Sequence, residues 1–351
     1  MKLLYGVVGE GMGHATRSSV ILRHLLDQGH EVRVVVSGEA AEYLGKYFPN
    51  VERIEGLSMS FEDSRLDKSQ TAWNFIKNLP DMISENFKAF ISMGEHFSPD
   101  AVISDFETFS YLFAKNHEVP VISIDNMQVL NRCELEIDIP EAEYNAYVMA
   151  KTVVKGKLPG CDHYMITSFF FPPVRKKNTA LYPPILRLKI LDAEISVGDH
   201  LLVYQTTTTN ERLLDVLKKL DVPCKVYGLH RDEVLGKVEL KGFSEDGFIK
   251  DLASARGVLA TGGFSLMGEA IYMKKPLLAV PLSGQFEQTL NAVYLEKLGY
   301  GEHHTELNVT GARHFVDHLD DYARALQAYG QDGNSKILTD LDALLASVSS
   351  S

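Results

Sequence analysis

Two runs of strand-like and helix-like segments in alternation, separated by paired prolines, constrain this chain more than any single residue does. In the first run "KLLYGVV", "EVRVVV", "DAVISD" and "VPVISID" read as strands, with "VERIEG" a shorter one. Helical spacing falls between them, over Ala15 to Asp27, Ala40 to Tyr47, about Gln70 to His96, and "ETFSYLFAKNH". Strands that are apolar along their length and alternate with helices mean a parallel sheet covered on both faces. The alternation pauses between "MITSFFFPPV" and "LYPPILRL", where Pro172-Pro173 and Pro183-Pro184 punctuate the chain. It then restarts with "HLLVYQ", "PCKVYG", "VELKGF", "GVLAT" and "KPLLAVP", with helices between them and a mostly helical tail from Val309. The pattern predicts two doubly wound α/β domains in tandem, facing one another across a cleft. Their expected bounds are 1–170 and 199–351, with 171–198 as the connector.

A length of 351 residues suits two domains of ordinary size. The formal net charge of −12 argues against a mainly electrostatic nucleic-acid binder, which needs a basic footprint. Cys133, Cys161 and Cys224 have no ligand-like spacing, so neither a zinc site nor a disulfide framework is suggested, and a reduced cytoplasm is the default. The opening "LLYGVVG" is too short for a signal sequence, and no run approaches the ~18 apolar residues of a membrane span.

In open α/β sheets, ligands bind beyond the carboxyl ends of the strands. That rule selects four stretches: "GEGMGH", Asp105 after "AVIS", Thr206 to Thr209 after "LLVYQ", and "GGFS" after "GVLAT". The glycines of "GVVGEGMGHATRS" are spaced G-x-G-x-G, not the G-x-G-x-x-G of a dinucleotide fold. No acidic residue closes the second strand, which ends at Val36 with Ser37 and Gly38 after it, so a dinucleotide site is disfavoured. Residues 258–292 are more informative. Gly262 and Gly263 stand between a strand and a helix, where a phosphate can approach the backbone and meet the free amides of the helix start. Ser265 adds a hydroxyl. Glu269 lies one turn further on the same face, where a carboxylate can accept hydrogen bonds from vicinal ribose hydroxyls. Beyond Pro281, Gln285, Glu287 and Gln288 offer groups suited to sugar hydroxyls.

This segment resembles the donor signature of GT-B glycosyltransferases, enzymes of two Rossmann-like domains that use nucleotide sugars. The resemblance implies that Gly262, Gly263, Phe264 and Ser265 hold a diphosphate, that Glu269 binds ribose, and that "EQTLNA" contacts the donor sugar. "GEGMGHATRS" with "ATGGFSLMGEA" is similar to the UDP-glucuronosyltransferase-like, glycosyltransferase-related branch, and more distantly to the lipid II-forming GlcNAc transferase. Thr261 stands where many relatives carry a histidine, and Leu266 where some carry Ser or Thr.

The chemistry expected of such a chain is glycosyl transfer from a UDP-sugar to a hydroxyl, inverting, metal-independent and without a cofactor. His14 is the candidate base and Asp105 its partner, with neutral-range histidine chemistry suited to the task. The alternative is that His14 and Asp105 merely cap their helices. Gly11 and Gly13 shape the acceptor-side turn. Arg17 either holds an acceptor phosphate or carboxylate or is a solvated helix arginine. Phe243 either contacts the donor base or packs in the core, and Thr206 either cradles phosphate or ends a strand. "SFFFPPVRKK" reads as a packed connector between domains or as a peripheral contact with an anionic membrane face. Asp340-Leu341-Asp342 is discounted as a metal motif, and His303, His304, His314 and His318 are expected to be solvated. Rival functions are a sugar-nucleotide 2-epimerase of the same architecture and a non-catalytic nucleotide-sugar-binding activator subunit.

Overall fold

The computed structural model describes residues 1–9, 11–54, 61–62, 65–66, 97–205 and 211–348. The helix expected near 70–96 and the run Thr206 to Thr209 lie outside the described residues. The chain forms two compact units, one of Met1–Glu136, Tyr144–Ile185 and Asp332–Ser351, the other of Ile137–Glu143 and Leu186–Gln331.

The first unit begins β1 (Lys2–Val7), α1 (Met12–Asp27), β2 (Glu31–Val36), α2 (Ala40–Gly45) and β3 (Val51–Arg53). A small hairpin, β4 (Phe61–Glu62) with β5 (Arg65–Leu66), stands apart from the main sheet. Then come β6 (Ala101–Asp105), α3 (Thr108–Asn116), β7 (Val121–Asp125), α4 (Val129–Arg132), α5 (Tyr144–Lys157), β8 (His163–Thr167) and β9 (Thr179–Tyr182). The seven strands are ordered β3-β2-β1-β6-β7-β8-β9, all parallel. Strand β1 is buried at every position but its first, as a central parallel strand must be.

The second unit holds α6 (Leu188–Leu191), β10 (Leu201–Tyr204), α7 (Glu211–Leu220), β11 (Cys224–Tyr227), β12 (Glu233–Leu235), β13 (Val238–Lys241) and α8 (Glu245–Ser254). It continues with β14 (Gly257–Ala260), α9 (Phe264–Tyr272), β15 (Leu277–Ala279), α10 (Phe286–Lys297), β16 (Gly301–His303), α11 (Val309–Asp317) and α12 (Leu319–Leu326). Its sheet runs β12-β13-β11-β10-β14-β15-β16, with only the β12–β13 pair antiparallel. The last helix, α13 (Ser335–Val348), returns to the first unit. It does so because Ile337, Leu341 and Leu345, one turn apart, join the core formed by Val7, Ile21 and Leu25. Fully burying each such side chain contributes about 1.5–3 kcal/mol.

The unit boundaries differ from the sequence expectation. "SFFFPPVRKK" and β9 belong to the first unit, so 171–198 is not one connector; the chain passes between units at Ile185 and Leu186. The strand "TALY" was hidden because it is a short edge strand of mixed composition. In both sheets the strand order reverses beside the first strand, at β1/β6 and at β10/β14. Those two switch points are where ligands bind in open sheets.

Candidate active site

At the first switch point, register pairs Val7 of β1 with Asp105 of β6. The turn after β1 is built on glycine for two separate reasons. A Cβ on Gly9 would lie 2.0 Å from the Ser37 carbonyl oxygen, so the loop can pass under the end of β2 only without one. Gly11, with φ 77°, is the N-cap of α1 and has open space around it, so there the backbone conformation demands glycine. Gly13 lies in the first turn of α1, and no side chain caps this helix. His14 is therefore not a capping residue. Nor is Asp105: the carboxylate of Glu107 caps α3, accepting from the amides of Phe109 and Ser110 at 2.6 and 2.7 Å.

His14 Nδ1 instead stands 2.8 Å from Asp105 Oδ1. Asp105 is 1% exposed. Its Oδ2 accepts from Arg17 Nε at 2.8 Å and from Ser18 Oγ at 2.9 Å, and its Oδ1 accepts from Arg17 Nη2 at 2.5 Å. Burial by itself would raise the Asp105 carboxyl; the charge of Arg17 and the hydrogen bonds from Arg17 and His14 outweigh it and hold the group well below the usual carboxylate range. Arg17 Nη2 also lies 2.6 Å from His14 Nδ1. A guanidinium only donates, so Nδ1 cannot both accept from Arg17 and donate to Asp105. With the proton on Nδ1, His14 donates to Asp105 Oδ1, and Arg17 Nη2 donates to that oxygen as well. The lone pair of neutral His14 is then on Nε2, which has no partner among the described residues, and the side chain is 15% exposed.

Arg17 departs from both sequence readings. It is 5% exposed, pairs with both Asp105 oxygens and donates from Nη1 to Asn126 Oδ1 at 2.6 Å. Its guanidinium is turned into the unit and serves the His14–Asp105 pair. Asn126, next to the buried Asp125 at the end of β7, is a member of this cluster that sequence reasoning missed. Its signal was the polar "DN" closing the apolar "VISI".

At the second switch point, Gly262 has φ 92°, and a Cβ there would come within 2.9 Å of the Gln288 carbonyl oxygen. Gly263 is the N-cap of α9, has φ −64°, and nothing approaches its Cβ position. No side chain caps α9, and the start of a helix carries amides without intrahelical acceptors and the positive end of its dipole. Ser265 is half-buried in that turn. Phe264 is 6% exposed. Gln288 is occupied structurally: its Oε1 accepts from the Leu282 amide at 2.9 Å and its Nε2 donates to Gln285 Oε1 at 2.6 Å. Glu287 is half-buried in the first turn of α10. Asn291, the N of "EQTLNA", was not singled out from the sequence, yet it is 2% exposed and donates to the Gly262 carbonyl at 3.0 Å. Phe243 is 70% exposed on the loop before α8, which removes the core reading.

Glu269 is 6% exposed on α9, and both its oxygens accept from Arg187, from Nε at 2.7 Å and Nη2 at 2.8 Å. Arg187 Nη1 donates to Glu245 at 2.8 Å. Burial opposes the charge of Arg187, and Glu269 with Glu245 more than compensates, so its pKa rises. The histidines near the end of the second sheet are not simply solvated. His304 Nε2 and His314 Nδ1 stand 2.6 and 2.8 Å from the two oxygens of the buried Glu302. Among the described residues no group of three His, Cys, Asp or Glu side chains is arranged to hold a metal ion.

The model of the family described as "Glycosyl transferase family 1" matches residues 1–320. The chain belongs to this family. It is a glycosyltransferase of the nucleotide-sugar-dependent, GT-B kind. An uncharacterised glycosyltransferase of Methanosarcina acetivorans is 22% identical over 338 residues, covering 86% of this chain and 85% of the relative. One from Methanosarcina mazei is 23% identical over 333 residues, covering 86% of each. Among solved structures the spinosyn forosaminyltransferase SpnP superposes with a TM-score of 0.67 at 14% identity, over 99% of both chains. Phytolacca americana UGT2, complexed with UDP-2-fluoro-glucose and pterostilbene, gives 0.66 at 16% identity over 99% of this chain and 98% of its own. At such identities these structures establish the fold of this glycosyltransferase. No helix among its described residues is long and apolar enough to cross a membrane.

Proposed function

We propose that this glycosyltransferase moves a sugar from a UDP-sugar to an acceptor hydroxyl with inversion, His14 acting as base. The observation that carries the proposal is the His14–Asp105 pair at the first switch point, with Nδ1 engaged and Nε2 left to a substrate. In the step proposed, the acceptor oxygen forms the bond to the anomeric carbon while its proton passes to His14 Nε2. The bond from that carbon to the β-phosphate oxygen breaks, and the nucleoside diphosphate leaves with the electron pair. Asp105, ionised and fixed by Arg17 and Ser18, orients the imidazole and stabilises its charged form, as a carboxylate does behind any such base.

The second unit supplies the donor site. The uncapped start of α9, with Gly262, Gly263 and Ser265, takes the diphosphate. Glu269 takes the ribose hydroxyls through lone pairs that Arg187 leaves unused, or exchanges Arg187 for them. Gln285 and Glu287 face the sugar, Gln288 holds their loop, and Phe243 lies against the base. Support for a UDP donor comes from structural neighbours that contain it, UGT2 and LpCGTa in complex with UDP. The cytoplasm is the proposed place of action.

A donor screen by thermal shift tests this reading. A ligand at ~100 times its dissociation constant stabilises the folded state by about 2.7 kcal/mol. UDP should raise the melting temperature more than GDP or dTDP does. No shift with any nucleotide contradicts the donor site, and a larger shift with GDP reassigns the base.

A further inference from the structure

One face of the first unit runs against the charge of the chain. Helix α5 carries Lys151, Lys155 and Lys157 and no carboxylate, and residues 168–178 carry Arg175, Lys176 and Lys177 and no carboxylate, in a protein of formal charge −12. Helix α4 joins the two segments. Gln128 Nε2 donates to the Val154 carbonyl of α5 at 3.2 Å, while Asn131 Oδ1 accepts from Lys176 Nζ at 2.6 Å and Cys133 pairs with Val174. The Glu134 amide donates to the Pro173 carbonyl at 2.8 Å. Desolvation lowers the pKa of Lys176, and so do the charges of Arg132, Lys155, Arg175 and Lys151. Lys176 thus sits among cations.

The same two segments expose apolar side chains of the size usually buried. Val148 (44%), Met149 (37%) and Val153 (53%) are exposed on α5, while Ala146 and Val154 are buried. In the loop Phe169 and Phe170 pack inward, edge to face, whereas Phe171 (54%) and Val174 (42%) stand outside. A packed connector would have buried all three phenylalanines. Cations alone fit any polyanion, and apolar groups alone fit any greasy partner. Both together, with Val148 and Lys155 two turns apart on one side of the helix and Phe171 and Val174 beside Arg175 in the loop, fit a lipid interface.

We propose that this face docks on an anionic lipid bilayer, with Val148, Val153 and Phe171 entering the headgroup boundary and Lys155, Arg175 and Lys177 meeting anionic headgroups. The docking is independent of the donor and base assignments above, since none of these residues belongs to either switch point. It brings the glycosyltransferase to a surface that would otherwise repel a chain of its net charge.

Co-sedimentation of the full chain with vesicles is the test. It should pellet with vesicles of phosphatidylcholine mixed with phosphatidylglycerol, and not with phosphatidylcholine alone. Added salt should release it. The triple variant K155E/R175E/K177E should lower the partition coefficient by about two orders of magnitude, at roughly fivefold per cation. Phe171→Ser with Val153→Ser should weaken binding even at low salt, and both variants should keep the wild-type circular dichroism melt and UDP shift. Failure to bind mixed vesicles, equal binding to both kinds, or a triple variant that binds like wild type would overturn the proposal. Retention on heparin without vesicle binding would also overturn it and assign the face to a soluble polyanion.

Discussion

In the proposed reaction Asp105 is the residue with most at stake, because four donors converge on this one buried carboxylate. Replacing it by Asn should cost activity twice over. The neutral amide no longer fixes the Nδ1 proton of His14, and Arg17 is left buried opposite an uncharged group. Breaking a buried pair from one side costs about 3–5 kcal/mol, so Asp105→Asn should melt lower as well as turn over more slowly. The sign of the pH effect follows from the depressed carboxyl. The folded value lies below the unfolded one, so between them the unfolded chain binds more protons, and stability present at neutral pH is lost as pH falls below the ordinary carboxylate range. Wild type should thus lose stability more steeply than Asp105→Asn between about pH 5 and pH 2; parallel curves from denaturant titrations would show that Asp105 carries no such linkage. Glu269→Ala should weaken ribonucleotides more than their 2′-deoxy analogues, and equal losses would remove the ribose role.

Among the elements, the two glycines at the start of α9 separate fold from binding. Gly262→Ala must strain a left-handed φ and push Cβ onto the Gln288 carbonyl, so it should lower both the melting temperature and nucleotide affinity. Gly263→Ala meets nothing and sits at an ordinary φ, so it should leave the melt unchanged while its methyl crowds the diphosphate. A Gly263→Ala protein that binds UDP normally would move the phosphate away from this helix start. Helix α13 makes a similar argument for packing. Leu341 is fully buried in the first unit's core, and Leu341→Ala should cost about 2–5 kcal/mol there. Differential scanning calorimetry should place that loss in the transition that UDP does not shift.

How far the sequence could be read depended on the element. The buried parallel strands and the glycine turns were legible because apolar runs and spacing are local signals. The short strands β9, β12 and β16 were not, being three or four residues of mixed character whose pairing partners lie elsewhere in the chain. Helix α5 escaped because Val148, Met149 and Val153 stand on its exposed side, which blurs the helical period. At the sites, residue types were visible and their partners were not. Nothing local to Arg17 says that it turns inward to Asp105, 88 residues away, and nothing local to Glu269 names Arg187.

For the whole molecule, the two units divide the proposed reaction, the base in one and the donor groups in the other. With a helix start and backbone amides assigned to the leaving diphosphate, transfer should continue in EDTA. Activity lost to chelation and restored by magnesium or manganese would mean the diphosphate is held by other means. The division also predicts that binding and chemistry can be uncoupled by one substitution, and the most direct measurement compares them in His14→Ala. Its UDP thermal shift should match wild type, while single-turnover transfer to the acceptor falls by roughly 10²–10⁴-fold, the span of a positioned acid–base group. His14→Ala that transfers sugar at the wild-type rate with donor binding intact would contradict the assignment of His14 as the base.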